Sequence, residues 1–254
     1  MKLRVLGCSG GIGGDFRTTS FLLDHDVLID AGTGVMNLSV TELMLIDHIF
    51  ITHCHLDHIT SIPFLVDTVI GMRDKPITLH ATEETISILK KHIFNWLIWP
   101  DFNVIPTSDK PFMVYQPFTL GETINLGGRK ITSLPANHVV PAVGFQLDSG
   151  QHSLVFTGDT TTHDALWAEV NKIENLSHLI IETAFSDMEI ALAIAARHLV
   201  PILLVEELKK LKRPAQIFIT HLKPGEVELI MNEVQRDAGD FKPRMLENNQ
   251  IFEF

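Results

Sequence analysis

The chain has 254 residues, enough for one large domain or two small ones around a sizeable core. Hydrophobic residues make up 45% and charged residues 20%, and no run of about eighteen apolar residues occurs, which excludes a simple membrane-spanning helix. The net charge is −11, and the nearest basic run, Lys209-Lys210-Leu211-Lys212-Arg213, falls at a predicted helix end, so long RNA or DNA is a poor partner. Only Cys8 and Cys54 are available for disulfide chemistry, and a reducing cytoplasm is the expected location.

In chain order, residues 2–7 read as a first strand, broken by glycine too early for a signal peptide. The stretch Gly7-Cys8-Ser9-Gly10-Gly11-Ile12-Gly13-Gly14 follows. It fits no G-x-G-x-x-G, since position 16 is Phe, and no amphipathic helix comes after it. A loop running past a site, with N–H groups free to assist a phosphate, is the better reading. Strands are then expected at 19–24, 26–30 and 47–52.

The third of these runs into Thr52-His53-Cys54-His55-Leu56-Asp57-His58. An H-x-H pair leaving a strand sends both rings to one side, because side chains alternate faces. Asp57 and His58 stand where a helix would begin and address a second point nearby. Two ligand sets facing two adjacent points is the requirement of a dinuclear metal site. A histidine-rich surface loop is the bland alternative, and four ligands closing an apolar strand argue against it. The thiol of Cys54 should point away from both rings, as packing.

Further strands are expected at 77–80, 112–115, 121–125, 129–135, 142–148, 153–158, 178–182, 215–220 and 249–254. Helices fit 63–71, 82–96, 164–172, 187–197, 201–212 and 225–236, with caps legible at Thr82 and Asp187 and with Pro201 at a first helical position. The two β-rich halves should meet near residue 110 and pack sheet on sheet with helices outside. Three of the later strands end in a further ligand type: His138 after Leu134-Pro135, Asp159 after Thr157-Gly158, and His221 after Ile219-Thr220. Alone, each is an ordinary turn residue. Together they add a histidine, a carboxylate able to bridge, and a last histidine.

With H-x-H-x-D-H followed by His, Asp and His, the chain resembles the metallo-β-lactamase superfamily over its whole length. The resemblance implies an α/β protein, an αββα sandwich, with residues 1–254 as a single hydrolase domain. It implies that His53, His55 and His138 hold one divalent ion and that Asp57, His58 and His221 hold a second, bridged by Asp159. Zinc suits such a donor set best, and manganese or iron(II) is compatible with it. Finer stretches look like class II cyclic-nucleotide phosphodiesterases: His53–Ile62, Phe94–Phe102, Ile181-Glu182-Thr183-Ala184-Phe185 and Thr220-His221-Leu222-Lys223-Pro224. The chain departs from that pattern at Thr160-Thr161-Thr162-His163, where a turn with glycine is expected.

The implied function is hydrolysis of 3′,5′-cyclic AMP or GMP to the 5′-monophosphate, with a small-molecule substrate and a hint of a homodimer. The catalytic set is read as Asp57, Glu182 and His198. Glu182 closes a strand at the ligand edge, and His198 lies in the turn before Pro201, aligned with a glutamate and histidine of the superfamily's tRNA-processing members. Other chemistries of the fold stay open: tRNA 3′-processing, lactone hydrolysis and thioester hydrolysis. A non-catalytic interaction module is disfavoured by the intact ligand set. Trp96 and Trp99, with Phe102, are spaced as on a helix end and offer a wall for a purine or plain core packing. His163, four residues after Asp159, is a candidate substrate contact.

Overall fold

Apolar residues alternate along the strands, and the alternation sorts them into three cores. Leu3, Val5, Phe21, Leu23, Val27, Ile29 and Phe50 face one way and meet Phe145, Leu147, Leu154, Phe156, Ile180 and Phe218 from the opposite sheet. Leu22, Leu28, Ile49 and Ile51, one residue out of phase, face away and are covered by Ile62, Leu65, Ile86 and Leu89. In the second half Val155, Leu179, Ile181, Ile217 and Ile219 do the same against Leu166, Trp167, Leu204 and Val234. A strand buried on both faces has no polar side, so these strands read as continuous apolar runs.

The computed structural model describes residues 1–254 and contains two seven-stranded sheets. The first has the order Ile251–Glu253, Lys2–Gly7, Ser20–Leu23, Val27–Ile29, His48–Phe50, Ile77–Ala81, Met113–Pro117. The second has the order Arg244–Met245, Gln216–Thr220, Leu176–Glu182, Ser153–Phe156, Val143–Asp148, Arg129–Pro135, Thr123–Leu126. The helices lie outside, which makes the αββα sandwich expected from the sequence. No single helix is long and apolar enough to cross a membrane. Cys8 and Cys54 are both free.

Several local expectations need correction. The sheets do not divide near residue 110: Met113–Pro117 completes the first sheet, and Ile251–Glu253 returns to it beside Lys2–Gly7. The helix expected over 82–96 stops at His92. Asn95 ends it by accepting the N–H groups of Leu97 and Ile98 on its side chain, while Trp96 N–H donates to Trp99 O. Trp96, Trp99 and Phe102 therefore share no helical face. Asp187 does not cap its own turn; its carboxylate accepts from Ile202 N at 2.8 Å and serves the next helix, Pro201–Leu208. The turn of helix at Val40–Leu43 and the hairpin Pro106–Thr107 with Lys110–Pro111 are too short to leave a periodic signal.

What positions the site is strand direction. Val27–Ile29 and His48–Phe50 run parallel, as do Ser153–Phe156, Leu176–Glu182 and Gln216–Thr220. Their C-terminal ends therefore open on one edge of the sandwich, and the residues that follow them meet there.

Candidate metal centre

Each metal-type side chain follows a strand. Asp30 comes after Val27–Ile29, His53 after His48–Phe50, His138 after Arg129–Pro135, Asp159 after Ser153–Phe156, and His221 after Gln216–Thr220. Glu182 is the last residue of its own strand. Asp57 and His58 belong to the single helical turn Leu56–Ile59, which brings their side chains into a group with Asp159 and His221.

The donor atoms of His53, His55 and His138 lie within 4.8 Å of one another, as do those of Asp57, His58, Asp159 and His221. Asp159 faces both groups: its carboxylate is 3.7 Å from His53 Nε2, and 3.3 Å from both His58 Nε2 and His221 Nδ1. Asp57 is 3.7 Å from His58 Nε2 and 3.8 Å from His221 Nε2. His138 Nε2 is 3.1 Å from His55 Nδ1.

Three buried ring nitrogens, His53 Nε2, His58 Nε2 and His221 Nδ1, have no hydrogen-bond partner in the protein. An unsatisfied buried polar atom costs about 1–3 kcal/mol, so three of them, one in the first donor group and two in the second, need compensating ligands. The donor set fits divalent cations. Burial pushes the pKa of His53 well down and those of His138 and His221 to about 4, which keeps these rings neutral and their lone pairs available. His58 differs: burial lowers it, but the carboxylates of Asp159 and Asp30 outweigh that and raise it.

The ring orientations are set from behind. His58 Nδ1 donates to Asp30 Oδ2 at 2.7 Å, leaving Nε2 to face the cluster. Asp30, wholly buried, also accepts from Thr52 N and Thr52 Oγ1 at 2.8 Å, and Thr52 Oγ1 is 3.0 Å from His53 Nδ1. His138 Nδ1 donates to Arg197 O at 3.1 Å. Asp30 was not picked out from the sequence, although it obeys the same grammar as the others, an apolar strand ending in a carboxylate. Arg197 left no such signal.

Glu182 and His198 are hydrogen-bonded to each other beside the cluster. His198 Nδ1 donates to Glu182 Oε1 at 2.7 Å, and the Glu182 carboxylate further accepts from Thr160 N and Leu199 N. Burial pulls His198 down, but the charge and hydrogen bond of Glu182 bring its pKa up to about 9. Its ring stacks on His221 with centroids 5.1 Å apart, and its donor atom lies within 4.8 Å of those of His138 and Asp159.

The remaining candidates stand further out. His163 and His138 both border a cavity of about 540 Å³ that also touches Asn137, Arg197 and Phe118. Trp96 is exposed at the tip of its loop; Trp99 is partly buried on the first core, with its ring against Phe64; Phe102 is core. Cys54 is half-buried between the two histidines and its thiol is pushed up by burial. In the glycine-rich loop, a Cβ on Gly10 would lie 2.8 Å from the His221 ring, so that loop passes directly against the cluster.

Comparison with known proteins places this geometry. The beta-lactamase superfamily domain matches residues 25–222. A probable 3′,5′-cyclic-nucleotide phosphodiesterase of Yersinia pestis is 25% identical over 91% of this chain and 82% of its own length. A ribonuclease Z of Clostridium beijerinckii is 34% identical, but over 57% of this chain and 48% of that protein. Among solved structures, unliganded yeast PDE1 superposes with a TM-score of 0.82 at 18% identity, covering 98% of each chain. The family-wide match, the two sheets and the ligand edge agree, and the chain belongs to the beta-lactamase superfamily, the metallo-β-lactamase-fold hydrolases.

Proposed function

We propose that this hydrolase is a phosphodiesterase that opens 3′,5′-cyclic nucleotides to 5′-monophosphates. The observation that carries the substrate class is the extent of likeness. The Yersinia protein, named for that activity, aligns with 91% of the chain, against 57% for the ribonuclease Z. A net charge of −11 also favours a small substrate over RNA. In this reading residues 1–254 act as one hydrolase domain, since both sheets contribute to the site.

His53, His55 and His138 would hold one divalent ion, Asp57, His58 and His221 a second, and Asp159 both. Imidazole with carboxylate suits zinc best, with manganese or iron(II) as alternatives. Bound there, such ions lower the pKa of water to about 7 and neutralise charge on the phosphoryl oxygens. The chain itself must deal with the leaving group. When water adds to phosphorus and the P–O3′ bond breaks, the departing alkoxide needs a proton. His198, held protonated and oriented by Glu182, donates it from Nε2. A positioned acid of this kind contributes about 10²–10⁴-fold.

Assay of cyclic AMP, cyclic GMP, bis-p-nitrophenyl phosphate and a lactone, with metal analysis, tests the reading. The 5′-monophosphate is expected; 3′-monophosphate, or brisk lactone hydrolysis with no cyclic-nucleotide turnover, would reject it. His198→Ala should keep the metal content and lose cyclic AMP turnover by about 10²–10⁴-fold, while sparing the p-nitrophenyl ester, whose leaving group needs no proton. A second reading, endonucleolytic cleavage of RNA, is favoured by the 34% identity to the ribonuclease Z. An RNA hairpin with a 3′ extension in the same panel separates the two.

A further inference from the structure

Arg197 grips His138 at both ends. Its carbonyl accepts from His138 Nδ1 at 3.1 Å, and its guanidinium Nη1 donates to His138 O at 2.7 Å and reaches Asn137 Oδ1 at 3.4 Å. The residue that follows it is His198. It also closes the helix Ile190–Ala196 in the left-handed conformation, φ 54° and ψ 52°. Glycine is the usual residue at such a helix end, because an L side chain there crowds the neighbouring carbonyl. A long, charged side chain has been placed where the backbone alone would favour none, and it returns to the same histidine that its carbonyl already holds.

We infer that Arg197 is a positioning residue: it locks His138 in the tautomer and orientation that a metal ligand needs, and fixes the His138–His198 spacing. The left-handed turn aims the 197 carbonyl at the His138 ring while sending the next side chain to Glu182. The guanidinium adds a hold at His138 itself to the 135–138 loop, which follows the strand Arg129–Pro135 and is otherwise tied through Asn137 to Thr160, Thr161 and Thr162. The two histidine rings also touch, with centroids 4.9 Å apart, so a shift of one is felt by the other. The inference rests on the ligand role proposed for His138.

The test uses Arg197→Gly and Arg197→Lys beside the parent protein. Glycine accepts the left-handed turn without strain, so the Tm of the metal-free Arg197→Gly protein should match or exceed that of the parent. Titration with Co²⁺ alone, followed by its absorption spectrum, should show one of the two ions bound about 10-fold or more weakly, as is usual when a ligand loses its supporting partner. The kcat for cyclic AMP should fall further than that for bis-p-nitrophenyl phosphate, because His198 loses its placement. Arg197→Lys, which keeps one donor for His138 O, should recover part of both losses. Parent-like Co²⁺ binding and an unchanged kcat ratio in Arg197→Gly would overturn the inference, as would losses that track a lowered metal-free Tm. Failure of the underlying reading looks different: the parent itself would then fail to bind two Co²⁺ ions.

Discussion

Asp30→Asn isolates the support of a single ligand with almost no change in volume. Asp30 is fully buried and accepts three hydrogen bonds, from His58 Nδ1 at 2.7 Å and from Thr52 N and Oγ1 at 2.8 Å. An asparagine can keep its oxygen toward Thr52 and then presents an NH₂ donor to His58 Nδ1. The ring must answer by accepting at Nδ1 and carrying its proton on Nε2, the atom that faces Asp159 at 3.3 Å. A protonated Nε2 cannot bind a metal. Restoring the useful tautomer sets two donors against each other in a dry site, a penalty of about 1–3 kcal/mol. Affinity for the ion served by Asp57, His58 and His221 should therefore fall about 10–100-fold, the usual scale for such partners, while the other ion is retained. Metal titration with stoichiometry, beside thermal denaturation of the metal-free protein, reads this out. Parent-like affinity for both ions in folded Asp30→Asn would refute the tautomer argument.

Asp57→Ala should lose one ion and Asp159→Ala should weaken both, because only Asp159 faces both donor groups; two fully bound ions in Asp159→Ala would exclude bridging. Glu182→Gln removes the charge that raises His198 above its ordinary 6.5. A group raised on folding is protonated until pH passes its folded pKa, so the alkaline loss of cyclic AMP turnover should begin at lower pH in the variant, and an unmoved alkaline limb would count against His198 as the acid. Away from the site, Arg129 reaches from the second sheet to the Asp26 carboxylate of the first at 2.5 and 2.8 Å and, chiefly by that hydrogen bond, lowers its pKa. A carboxylate lowered on folding stabilises above its unfolded pKa and loses that contribution as pH falls through the folded one. Asp26→Asn should thus cost about 1 kcal/mol at pH 7, and the difference should shrink as the pH is lowered below the ordinary carboxylate value of 3.8 in denaturant titrations. A difference that stays constant down to the acid limit of the folded state would show the loss to be one of packing rather than charge.

The sequence by itself determined the local grammar. Short apolar β-type runs marked the strands, and a ligand at the end of each of several of them marked the edge where chemistry would gather. His53, His55, His138, Asp159, His221 and Glu182 were picked out at strand ends, where side-chain direction is a local property of the backbone; Asp57 and His58 were read from a helix start, and His198 from the turn before Pro201 and the family resemblance. Tertiary structure decided what depends on partners distant in sequence. Asp30 becomes significant only because parallel pairing sets it behind His58, 28 residues away, and Arg197 only because the turn before His198 meets a loop 59 residues earlier. The tryptophans illustrate the converse: their spacing suggested one helical face, until the Asn95 turn ended the helix at His92 and sent Trp96 outward while Trp99 packed inward. Short elements stabilised by one or two hydrogen bonds carry too little periodicity to be read. The closing of the first sheet by the last strand joins residues 2 and 253, and no local pattern contains that pairing.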